Sequence, residues 1–151
     1  MTDDRPMRTT LLVLGYGNTL RRDDGVGPRI AEAISALNLL GVEALAYPLL
    51  TPELAEPISQ AQRVVFVDAA TDAPHEVQLR KLAPAASSQI MAHAANPDTL
   101  LAVARDLFGH TPEAWVLAIP VEDMSIGETL TPFAQRGLAI AIEQIKQLAT
   151  R

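Results

Sequence analysis

Apolar residues in this chain fall into short continuous runs that alternate with stretches of helical spacing. Residues 10–15 (TLLVLG) form an apolar run after polar residues, which predicts a buried parallel strand. A Gly-rich turn follows. Pro28 then suits the first turn of a helix, and Ile30, Ala33, Ile34 and Leu37 recur at helical spacing, with Arg29 and Glu32 on the other side. Residues 42–49 read as a second strand, ended by Pro48 and the Thr51-Pro52 pair. Thr51 is a good N-cap, Pro52 a good first helical residue and Glu53 an acid in the first turn of a helix to about Gln60. Residues 63–68 (RVVFVD) are the clearest strand, and residues 76–82 alternate polar with apolar, as an edge strand does. A small-residue loop over 87–95 contains His93. Asn96 and Pro97 then open a helix over 98–108, with Leu100, Leu101, Ala104 and Leu107 inward and Gly109 as its stop. Residues 114–120 predict another strand and 121–128 (VEDMSIGE) a loop. Thr131 and Pro132 open a last helix carrying Leu138, Ile142 and Ile145.

The order is βαβαβ, an edge strand, then αβ and a final helix, with no repeat, linker or low-complexity segment. It predicts a single α/β domain over 1–151. The architecture is a mostly parallel twisted sheet of about five strands with helices on both faces, a three-layer α/β/α arrangement. Right-handed crossovers put the first strand between the second and third. Ligands in such sheets bind at the carboxyl ends of the strands, beside the point where strand order reverses. The first strand ends at Gly15 and the third at Asp68, so the Gly-rich turn and Asp68 are expected to share a crevice.

Composition narrows the function. The chain is 48% hydrophobic but only 4% aromatic, so aliphatic residues must build the core. A net charge of −6 argues against nucleic acid and against anionic membrane surfaces as partners. There is no cysteine, so any metal must bind through carboxylates, imidazoles, carbonyls or water. The opening residues, Met1 to Pro6, contain an acidic pair and do not read as a signal peptide. Asn38 and Glu43 interrupt the longest apolar stretch, so no membrane span is expected and a cytoplasmic location is.

The chemistry concentrates in the turn from Gly15 to Gly27 (GYGNTLRRDDGVG). It resembles the dinucleotide fingerprint, but Leu20 stands where the third glycine belongs, and Asp23 and Asp24 would repel phosphate. Gly15 and Gly17 permit special backbone geometry, and Asn18 can tie the turn together. Asp23 reads as a helix cap; for Asp24 a cap and a ligand role are evenly balanced. Asp68, at the end of an apolar strand, is a turn aspartate or, beside Asp24, half of an acidic pair for metal binding or acid–base work. His75 and His110 read as solvated or capping residues, and His93, taken alone, as a loop histidine.

Taken together, three features resemble the nickel–iron hydrogenase maturation endopeptidases across about residues 10–146. They are GNTLRRDDGVG (17–27), Val67-Asp68-Ala69 and a loop histidine before a Leu-rich helix. LTPELA (50–55) and the late loop around Ile119, Pro120, Ile126 and Gly127 support them. The resemblance implies a peptide hydrolase that removes the C-terminal extension of a hydrogenase large-subunit precursor after nickel insertion. Asp24, Asp68 and His93 would recognise the nickel and Gly17, Asn18 and Glu53 would contact substrate. Asp24 and Asp68 would be catalytic, either as a carboxylate pair that activates water or by holding a metal that polarises the scissile carbonyl or acidifies a bound water. The nickel would arrive with the precursor, no organic cofactor is implied, and a monomer is expected. Some members carry Glu in place of Asp24, and many have Ser-Pro where this chain has Met91-Ala92. Two other readings stay open at this level: a non-catalytic checkpoint chaperone for the nickel site, and a nucleotide-binding enzyme.

Overall fold

The structure is a computed structural model that describes residues 9–71, 75–87 and 96–151. Five strands form one sheet: β1 (Thr9–Tyr16), β2 (Val42–Tyr47), β3 (Ala61–Ala70), β4 (Gln78–Leu82) and β5 (Glu113–Pro120). Among the described residues, three helices lie between strands, α1 (Val26–Ala36), α2 (Ala55–Ser59) and α3 (Pro97–Phe108), and α4 (Pro132–Ala149) follows β5. The sheet order is β2-β1-β3-β5-β4, so β1 lies between β2 and β3 as expected. All pairings are parallel except that of β4 with β5. β4 is a short edge strand with Arg80 and Lys81 exposed, which discourages edge-to-edge association.

Strand alternation divides the core in two. Leu11 and Val13 of β1 pack with Val65, Val67, Leu117 and Ile119 beneath α1 and α4. Leu12 and Leu14 pack with Val64, Phe66 and Val116 beneath α2 and α3. Continuous apolar runs are what central strands buried on both faces require. Glycine lets α1 approach the sheet closely: a Cβ on Gly15 would lie 2.1 Å from the Gly27 carbonyl oxygen.

Several local expectations are corrected. Leu37 is 47% exposed because α1 ends at Ala36 and the chain turns away through Asn38, whose φ is 50°. Leu107 is 67% exposed, since the last turn of α3 runs past the elements it packs on, whereas Thr99, Ala102 and Val103 are inside. The segment after Thr51 begins as a 3-10 turn (Pro52–Leu54) before the single-turn α2. Neither Thr51 nor Asn96 caps through its side chain, whereas Thr131 does, accepting from the Ala134 amide at 3.2 Å. Gly109 ends α3 in the left-handed conformation, as its position suggests. Among the described residues no helix is long and apolar enough to cross a membrane.

Candidate functional site

The carboxyl edge of the sheet carries the acidic residues singled out in the sequence. The segment leaving β1 folds into a compact turn. Asn18 Oδ1 accepts from the Leu20 amide at 2.9 Å, and Asp24 Oδ2 accepts from the Asn18 amide at 2.8 Å. Gly17 has a φ of +145°, and a Cβ there would lie 2.0 Å from the Asp24 carbonyl oxygen, so only glycine fits. Asp24 thus fastens the turn from beneath. It sits in a 3-10 turn (Arg22–Gly25) that leads into α1 and touches β3.

This arrangement argues against a phosphate cradle in the turn. A nucleotide site at a helix N-terminus needs free amides. Here the amides of Gly17 and Asn18 bond to Tyr47 O and Asp24 Oδ2, and those of Leu20 through Asp24 bond to other groups of the turn and the late loop.

Asp23 is fully buried, and its role is structural. Its carboxylate accepts from the Thr131 amide (2.8 Å), the Thr131 hydroxyl (2.8 Å), and the amides of Glu122 (3.1 Å) and Asp123 (3.2 Å). Burial alone would raise its pKa. The amides of Thr131, Glu122 and Asp123 and the Thr131 hydroxyl outweigh that and hold the carboxyl below its ordinary value. Asp23 therefore fixes the late loop, rather than capping α1 as its position suggested. Arg22 clasps the same loop from the other side. It is held at φ 45°, and its guanidinium bonds to Asp123 Oδ2 at 2.7 Å and Thr129 O at 3.1 Å. Arg29 bonds to Glu128 O, and Arg21 to Met124 O. Residues 21–29 and 121–131 are one clamped unit, which sequence reasoning missed because its bonds join positions about a hundred residues apart.

Asp68 follows Val67, which pairs with Gly15 of β1 and Leu117 of β5. It lines an open cleft of about 230 Å³ with Tyr16, Arg80, Leu82, Asn96, Pro97, Asp98 and Val116. Tyr16 donates its phenol hydrogen to Asp68. Burial, reinforced by the neighbouring Asp68 charge and this hydrogen bond, pushes the Tyr16 phenol pKa up. Gly17 and Asn18 line a second cleft, of about 250 Å³, with Leu20, Pro28, Glu32 and Tyr47. Glu53 is exposed on the 3-10 turn before α2.

Asp24 and Asp68 thus stand at one edge of the sheet, on adjoining elements, although Asp24 is not among the described residues lining the Asp68 cleft. His93 lies outside the described residues. Among those residues, no group of three or more His, Asp and Glu is placed to hold a metal ion. Of the other histidines, His110 bonds through Nε2 to Ala61 O of β3 at 3.1 Å, rather than to helix carbonyls. His75 is exposed and meets Phe133 edge-on. Tyr16 was overlooked in the sequence; the signal for it is an aromatic residue between two glycines at the carboxyl end of a central strand.

No family model matches the sequence, and neither does any curated protein. Solved structures do match. The hydrogenase maturating endopeptidase HybD from E. coli aligns at 24% identity with a TM-score of 0.71, covering 89% of this chain and 88% of that one. The NiFe hydrogenase maturation protease HybD from Thermococcus kodakarensis aligns at 22% identity and a TM-score of 0.70, covering 92% of this chain and 98% of that one. The maturation protease HycI from Thermococcus kodakarensis KOD1 aligns at 18% identity and 0.69, covering 95% and 94%. Over nearly its whole length, then, this chain has the fold of the nickel–iron hydrogenase maturation proteases.

Proposed function

We propose that this protein is an endopeptidase that removes the C-terminal extension from the large-subunit precursor of a nickel–iron hydrogenase once nickel has been inserted. The observation that carries the reading is the conjunction of that fold, over 89% of the chain, with an acidic pair at the carboxyl edge where such sheets bind ligands.

In this reading the nickel belongs to the precursor and is part of the substrate. Asp24, Asp68 and His93 recognise it, carboxylate and imidazole being suitable donors for nickel. The absence of cysteine fits a protein whose substrate brings its own ligands. Each carboxylate has two oxygens. Asp24 Oδ2 already holds the Asn18 amide, which leaves Oδ1 for the substrate. Hydrolysis then needs a water to add to the scissile carbonyl, a base to take its proton, and return of that proton to the leaving amine as the C–N bond breaks. Asp24 and Asp68 supply those proton transfers, and Gly17, Asn18 and Glu53 contact the precursor's tail. The protein acts as a monomer in the cytoplasm.

The test is incubation with nickel-loaded precursor followed by mass spectrometry. Loss of a C-terminal fragment supports the assignment. A stable complex without mass loss would instead identify a checkpoint chaperone. Asp24→Ala and Asp68→Ala are expected to abolish processing with the fold retained, and full processing by both would sink the assignment of the site.

A further inference from the structure

Tyr16 occupies a position that the proposed chemistry does not yet use. In the parallel pairing of β1 with β3, Gly15 stands beside Val67, so Tyr16, the last residue of β1, and Asp68, near the end of β3, stand one step further on along neighbouring strands. Leu12, Leu14 and Tyr16 pack toward one side of the sheet with Val64 and Phe66, and Asp68 continues that alternation. The two side chains line one cleft and share a hydrogen bond, with the phenol as donor.

The backbone of Tyr16 is also held fast. A Cβ on Gly27 would lie 2.6 Å from the Tyr16 carbonyl oxygen, so α1 presses directly on this residue. The next amide, Gly17, is bonded to Tyr47 O at 3.1 Å. A phenol carried on so constrained a strand end restricts the carboxylate it bonds to. It occupies one lone-pair direction of Asp68 and so limits how the carboxylate can turn.

We propose that Tyr16 is a positioning residue, which orients the Asp68 carboxylate toward the scissile end of the precursor. The inference rests on the endopeptidase reading above. Tyr16→Phe removes the hydroxyl and keeps the ring. A charge-assisted hydrogen bond in a half-buried cleft corresponds to about a tenfold effect on rate.

The experiment is single-turnover processing of nickel-loaded precursor over a range of enzyme concentrations, with wild type, Tyr16→Phe, Asp68→Asn and the double variant, alongside urea unfolding of all four. For Tyr16→Phe the expected result is a saturating rate about tenfold lower, with the half-saturating concentration within about twofold of wild type. The urea midpoints of the two single variants are expected to be non-additive, because each removes one end of the same bond. A wild-type rate for Tyr16→Phe, or additive midpoints, would overturn the proposal. If Asp68→Asn itself processes at the wild-type rate, the endopeptidase site is wrong and not merely the part given to Tyr16.

Discussion

Three aspartates within reach of the same sheet edge have three different environments. Asp23 is sealed in and makes four hydrogen bonds to the late loop. Asp24 is half-buried and engaged through one oxygen, and Asp68 borders an open cleft. Burial thus separates the structural carboxylate from the two that are only partly buried, a distinction the Asp23-Asp24 pair does not reveal in sequence. Asp23→Asn turns an acceptor into an amide donor facing four donors, and is expected to cost about 3 kcal/mol in urea unfolding at pH 7. Because the folded-state pKa of Asp23 is depressed, its contribution is present above the ordinary carboxylate value and is lost as pH falls through the folded one. The variant should therefore show a shallower loss of stability than wild type on acidification below about pH 4.

At the scale of elements, the clamp between residues 21–29 and 121–131 decides how rigid the site is. Thr131 is central to it, as N-cap of α4 and donor to Asp23. Thr131→Ala is expected to lose about 2 kcal/mol of stability, at the upper end for a cap because the Asp23 bond goes with it. Glycines give a sharper contrast. Gly17→Ala drives a Cβ to 2.0 Å from the Asp24 carbonyl oxygen and should prevent folding of the turn. Gly109→Ala, left-handed but with open space around it, should cost only about 1 kcal/mol, and thermal melts of the two variants would check this.

Element scale is also where the sequence was most readable. Continuous runs such as RVVFVD marked the strands because a central parallel strand is apolar on both faces. Leu37 and Leu107 were misassigned because helical spacing reports a face but not where the helix stops packing. The clamp was not legible, since backbone hydrogen bonds between distant loops leave no local pattern.

For the molecule as a whole, the sheet order β2-β1-β3-β5-β4 puts the exits of β1 and β3 side by side. It followed from the alternation of strands and helices with right-handed crossovers, and it made the placement of the turn and Asp68 at one edge foreseeable, although only Tyr16 of the turn lines the Asp68 cleft and Gly17 and Asn18 line a separate one. The partnership of Tyr16 with Asp68 depends on the register of that pairing, which periodicity does not specify. A nucleotide at this edge would need amides that the turn has already used, so mononucleotides and dinucleotides are expected to leave the thermal midpoint unmoved. Under the proposed function, this edge cuts a nickel-loaded precursor. The direct measurement is the intact mass of a hydrogenase large-subunit precursor before and after incubation with the protein. Loss of one C-terminal fragment from the nickel-loaded form, absent with Asp68→Ala, is the expected result. An unchanged mass with wild-type protein, or equal cleavage by Asp68→Ala, would contradict it.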